Sequence, residues 1–152
     1  MAAVGGTSET TQMYLRTVLE LEMAGVAPLR ARVRERLQHT APAISEAVSR
    51  LASEGLLVMG EQDRLLTLTP EGRRIAEAVL RKHQLAEQLL TSLAGVDAAQ
   101  AHEEACDWEH VISDDVEQRL RERLGAPPAC PYTRQSQGAP VPSPAGGGPA
   151  SG

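Results

Sequence analysis

Apolar residues recur at helical spacing through most of this chain. Met13, Leu15, Val18, Leu19 and Leu21 fit one helix face between Ser8 and about Ala24, and Gly25 supplies a stop. Pro28 is placed to open a second helix, Leu29 to about Gln38, with Leu29, Val33 and Leu37 as its stripe. After a short turn, Thr40 reads as an N-cap with Ala41 and Pro42 in the first turn. The third helix buries Ile44, Val48 and Leu51 and runs to Glu54, where Gly55 ends it. The period then changes. Leu56-Leu57-Val58-Met59-Gly60 and Arg64-Leu65-Leu66-Thr67-Leu68-Thr69 flank a polar turn and predict a β-hairpin. Thr69-Pro70-Glu71 opens a long helix reaching about Ser92, with Ile75, Val79, Leu85, Leu89 and Leu90 available for packing. Asp97 starts a fifth helix that reaches about Ile112, and Ser113-Asp114-Asp115 caps a last one ending at Leu124-Gly125.

Helix, tight turn, helix and then hairpin is the order of a winged helix-turn-helix. The expected fold is mainly α, with that unit over residues 1–74 and a second helical domain over 75–125. Residues 126–152 hold seven of the ten prolines and five glycines, a composition expected to stay disordered. No apolar run approaches the length of a membrane span. Met1-Ala-Ala-Val-Gly-Gly lacks the charged and apolar regions of a secretory leader, so a cytoplasmic location is expected.

Charge divides the chain. Residues 1–74 carry nine basic and nine acidic side chains, whereas residues 75–125 carry five against eleven. Within the neutral part, Arg30, Arg32, Arg34 and Arg36 fall within seven residues. In the usual docking of a helix-turn-helix, the start of its second helix enters the major groove. That nominates Thr40, Pro42, Ala43, Ser45 and Glu46 for base contact, with Arg30, Arg32, Arg50 and the hairpin's Arg64 near phosphates. A carboxylate such as Glu46 is tolerated beside DNA where it accepts from a cytosine amine.

The acidic part holds a different chemistry. Read as one helix, residues 102–110 put His102, Cys106 and Glu109/His110 on one side, a turn apart. His83 and Glu87 repeat the i, i+4 arrangement upstream. Imidazole, thiolate and carboxylate so spaced form a half-shell for a divalent transition metal. A solvated amphipathic helix is the plain alternative, and the grouping of every histidine but His39 argues against it. Only two cysteines are present, Cys106 and Cys130, too few for a disulfide framework. There is no H-E-x-x-H helix, nucleophile elbow or phosphate loop, so neither an enzyme nor a small organic substrate is expected.

Four stretches, Thr10-Thr-Gln-Met-Tyr-Leu-Arg-Thr17, Pro28-Leu-Arg-Ala-Arg32, Arg81-Lys-His-Gln-Leu-Ala-Glu87 and Glu104-Ala-Cys-Asp-Trp-Glu-His-Val111, resemble the DtxR-type, iron-dependent repressor family. The resemblance runs from about Ser8 to Gly125. It implies a homodimeric winged-helix repressor that binds inverted-repeat operator DNA when divalent metal is present. Carried over residue by residue, it implies a primary site of Met13, Cys106, Glu109 and His110 and an ancillary site of His83, Glu87 and His102. Met13 enters only through the resemblance, which makes the primary metal a bridge between the two domains. The sulfur donors favour iron(II), with manganese(II), cobalt(II), nickel(II) or zinc(II) able to substitute. The alternatives within this fold are a manganese-responsive regulator and a DNA-binding protein whose metal is purely structural. Dimer contacts are expected from the helices after residue 75, where Trp108 and the apolar positions of 111–124 need cover. Two positions depart from well-known members: Glu46 replaces Gln and Ala43 replaces Thr, implying a shifted operator preference. The resemblance stops near Gly125, before the SH3-like third domain that adds ancillary ligands in many members, and without those ligands weaker ancillary binding, completed by water or an anion, is expected.

Overall fold

The computed structural model describes residues 7–127. The segment expected to stay disordered, apart from residues 126 and 127, lies outside them, and so does Cys130. Helix α1 (Glu9–Met23) is the central element. Its Tyr14, Leu15, Val18, Leu19 and Leu21 are buried, and so are Thr11, Gln12, Thr17 and Glu20, so it is enclosed on nearly all sides. Ser8 caps it by accepting from Thr11 N, and Gly25, at φ +68°, turns the chain away from its end.

Helix α2 (Arg30–Leu37) begins later than its proline predicts. Pro28 lies in the extended segment before it, and its carbonyl accepts from Leu66 N at 2.8 Å, which ties this segment to the hairpin. Gln38 closes α2 in the left-handed conformation, φ 54°, leaving room only for His39 before the Thr40 cap of α3 (Ala41–Ser53). Tyr14 Oη reaches across from α1 to His39 Nδ1 at 2.8 Å and holds that turn against the core.

Strands β1 (Leu57–Met59) and β2 (Leu66–Leu68) pair antiparallel, with Val58 opposite Thr67. Alternation puts Leu57, Leu66 and Leu68 in the core and leaves Val58 and Thr67 in solvent. Helix α4 (Pro70–Ser92) follows, capped by Thr69. Its first turn packs so closely on the hairpin that a Cβ on Gly72 would stand 1.9 Å from Leu56 O. The expected boundary at 74/75 falls inside this unbroken helix. Ile75, Ala76, Val79 and Leu80 complete the core of the helix-turn-helix unit, whereas Ala86 joins Ala105, Ile112 and Trp108 in a second cluster.

Helix α5 (Ala98–Trp108) ends four residues short of the predicted Ile112. Glu109 is its C-cap, and Val111 N and Ile112 N both bond Trp108 O in a tight turn. Helix α6 (Asp114–Leu124) opens on a Ser113 cap with three acids in its first turn. Two ion pairs tie it to α4: Lys82 Nζ to Asp114 at 2.8 Å and Arg81 to Glu117 at 2.7 Å. The Lys82 bond holds the Asp114 carboxyl below its usual range.

Candidate metal centre

Small residues bring the site together. Ala86 on α4 and Ala101 and Ala105 on α5 are fully buried, and short side chains there let the two backbones approach. The neighbouring positions then face each other: His83 and Glu87 one turn apart on α4, His102 and Cys106 one turn apart on α5. One ligand atom from each of His83, Glu87 and His102 lies within 4.8 Å of the others. His102 Nδ1 is 2.9 Å from Glu87 Oε1 and 3.2 Å from His83 Nε2, and the two rings meet edge to face. His83 also pairs with Glu87. Two imidazoles and a carboxylate at this separation suit a divalent transition metal, with geometry supplied by two rigid helices.

Cys106 Sγ lies 3.9 Å from His102 Nε2. Burial acts to raise its thiol, but hydrogen bonding to His102 and His83 and the charge of Arg16 outweigh this and bring it down to about 6. Thiolate, the ligand form, is therefore favoured at neutral pH.

Glu109, the C-cap, keeps helical φ and ψ and its N bonds Ala105 O at 3.0 Å, and the bonding tightens only at His110, whose N bonds Asp107 O. Glu109 points inward, where Oε2 is 2.8 Å from His83 Nδ1 and Oε1 is 3.3 Å from His110 Nε2. His110 Nδ1 reaches Gln12 Oε1 on α1 at 2.9 Å. The residues assigned to two separate sites are thus joined through the His83–Glu109 contact. Met13 is half-buried on α1, between Gln12, which bonds His110, and Arg16, which pairs with Glu109.

Pro42, Ala43, Ser45, Glu46 and Arg50 are exposed on α3, whose Ile44, Ala47 and Val48 face the core. Thr40 Oγ1 accepts from Ala43 N and is engaged in capping. Arg30 Nη1 donates to Ser45 Oγ at 3.2 Å, so the two helices present these groups side by side. Arg32 pairs with Glu35 in solvent, Arg50 donates to Thr11 on α1, and Arg64 sits in the hairpin turn at φ 59°. Arg36 departs from the basic row: it turns back to Glu20 on α1 at 3.2 Å.

The iron-dependent repressor N-terminal DNA-binding domain model matches residues 6–64, and the model of the iron-dependent repressor metal-binding and dimerisation domain matches residues 69–137. The Corynebacterium efficiens diphtheria toxin repressor is 51% identical over 134 residues, 88% of this chain and 56% of that protein. The chain belongs to the iron-dependent repressor family. Mycobacterium tuberculosis iron-dependent repressor IdeR is 51% identical over 82% of this chain and 54% of its own length. Among solved structures, the manganese regulator SloR superposes with TM-score 0.70 at 33% identity, over 80% of this chain and 56% of that one. The chain thus spans about half the length of the curated family members it matches.

Three residues at the centre of this site escape sequence reasoning: Gln12, Arg16 and Glu20, all on α1. Their only signal is the i, i+4 pair Arg16–Glu20 inside an otherwise apolar stretch. That spacing reads equally well as a surface ion pair.

Proposed function

We propose that this chain is a divalent-metal-activated transcriptional repressor that binds inverted-repeat operator DNA as a homodimer. The observation that carries this reading is the gathering of His83, Glu87 and His102 within 4.8 Å, continuous through Glu109 with groups that contact α1. Helix α1 is at once the wall of the metal centre and the core helix of the DNA-binding unit. Residues 1–74 are taken as that unit, 75–125 as the metal and dimer domain, and 126–152 as a tail. Met13, Cys106, Glu109 and His110 would hold the primary ion and His83, Glu87 and His102 the ancillary one. When bound, the ion supplies positive charge and a fixed link between donors of different helices. Gln12 orients His110 from α1, and Tyr14 carries any shift of α1 to the turn before the recognition helix. The equilibrium moves only by the difference in metal affinity between the two arrangements of α1.

Base contacts are assigned to Thr40, Pro42, Ala43, Ser45 and Glu46, and phosphate contacts to Arg30, Arg32, Arg50 and Arg64. Exposure of the α3 positions supports the first assignment. The side-by-side placement of Arg30 and Ser45 supports the second. Iron(II) is the proposed ion, favoured by the Met and Cys sulfurs and by the names of the iron-dependent relatives. The likeness to a manganese regulator supports manganese(II) as the second reading. We assign no catalytic activity and place the action in the cytoplasm. No helix among the described residues is long and apolar enough to cross a membrane.

The test is anaerobic selection from a random duplex pool with and without iron(II), then fluorescence anisotropy on the winning duplex. Enrichment of an inverted repeat in the metal arm alone is the expected result, and titration with manganese(II) ranks the ions. Equal enrichment without metal would reduce the metal to a structural role. Met13→Ala, at a half-buried position, should leave the circular dichroism spectrum unchanged and raise the metal concentration needed for binding by about tenfold or more. Normal activation of that variant would remove Met13 from the ligand set.

A further inference from the structure

Arg16 sits among the candidate ligands, not beside them. Its Nη1 bonds Glu109 Oε2 and lies 3.3 Å from His83 Nδ1, while Nε lies 3.0 Å from Glu20 Oε1. The Arg16 and Glu109 side chains are 13% and 2% exposed. Glu109 thus already has a full positive charge on one of the oxygens that the proposed ion would take. In so enclosed a place the guanidinium and a dication repel strongly, because little water screens them. Burial alone would lower the basicity of Arg16, but Glu20, Glu109 and Cys106 more than offset it, so Arg16 stays charged.

We propose that Arg16 is the internal counter-ion of the metal-free site, and that Glu109 exchanges it for the ion as the site loads. This rests on the metal reading above. Glu20 is the acceptor that keeps Arg16 paired once Glu109 is taken, since it already stands at Nε. The bonding around Glu20 is also incomplete: Arg16 Nε meets Glu20 Oε1 at 3.0 Å as an ion pair without hydrogen-bond geometry, and Arg36 Nη2 is buried without a hydrogen-bond partner. Buried donors left unmade are destabilising, so this state is one the protein can leave at little loss. The function of the exchange is to set a threshold. Metal has to displace a resident cation, so the site fills only above a concentration that Arg16 helps to fix.

The experiment is anaerobic iron(II) titration of the full chain against a chromophoric chelator, for wild type, Arg16→Gln and Arg16→Lys. Arg16→Gln removes the competitor and should take up metal about tenfold tighter or more. Its metal-free Tm should fall, because Glu20 and Glu109 lose their counter-charge, and the rise in Tm on metal addition should grow. Arg16→Lys keeps the charge without the two-pronged donor and should fall between the two. Cobalt(II) spectra should show the same thiolate band in all three, establishing a common ligand set. Affinity in Arg16→Gln equal to or weaker than wild type overturns the proposal. If that variant does not fold without metal, Arg16→Lys no tighter than wild type overturns it instead. A wild type that takes up no metal overturns the metal reading as well, whereas normal uptake with no gain in the variants overturns this inference alone.

Discussion

Single residues in this protein do two jobs at once, and Cys106 shows the consequence. It is a candidate ligand on α5, and in the metal-free protein it is an acidic thiol held down by His102, His83 and Arg16. Alkylation of metal-free protein by iodoacetamide should accelerate with pH about a midpoint near 6. A midpoint near about 8.5, the ordinary thiol value, would show that these neighbours do not act on it. The sign for stability follows from the lowered value. The thiolate's contribution to folding is complete above the ordinary thiol range and is lost as pH falls through about 6. His39 makes the opposite point. It is the histidine left out of the metal grouping, and it serves to dock the turn before α3 onto Tyr14.

At the scale of elements, the unit that transmits is defined by close backbone packing. Gly72 in the first turn of α4 lies against the Leu56 carbonyl, and Thr69 Oγ1 donates to Gly55 O at 2.7 Å nearby. A methyl group at Gly72 would need backbone to move, since the atom it meets is a carbonyl oxygen at 1.9 Å. Gly72→Ala should therefore destabilise by about 1–3 kcal/mol in urea unfolding, although alanine favours helix over glycine elsewhere. A neutral or stabilising result would mean that hairpin and helix are not so tightly coupled. Helix α5 illustrates how a terminus does chemistry. Its C-cap Glu109 continues the helical geometry and reaches His83 on α4, while His110, where the bonding tightens, reaches Gln12 on α1.

At the scale of the whole molecule, Val111 and Val116 stand among the exposed apolar side chains of the described residues. Val111 is 70% exposed and Val116 44% exposed, while their neighbour Ile112 is buried with Trp108 in the second cluster. Exposed branched residues continuous with a core mark a surface that a partner covers. Val111→Glu should shift the protein from dimer to monomer in sedimentation equilibrium without altering its circular dichroism. A dimer that persists at low micromolar concentration would place the interface elsewhere.

Much of this architecture was legible in the residue pattern because its causes are local. Ser8, Thr40, Thr69, Asp97 and Ser113 each begin a helix where a side-chain oxygen can satisfy an orphan N–H, and each was readable as a start. The change to period two announced the hairpin, and i, i+4 spacing placed His83 with Glu87 and His102 with Cys106. The start of α2 and the end of α5 are not legible in that pattern. Pro28 is bonded by Leu66 of the hairpin, distant in sequence, and α5 gives way to bonds onto Asp107 O and Trp108 O that periodicity does not mark. The joining of α4 and α5 ligands into one cluster required the alanine-lined approach of two helices. The place of Arg16 within it required the burial of α1 by everything around it. Local hydrogen bonding and periodicity are written along the chain, whereas the meeting of charges across three helices exists only once the chain has packed.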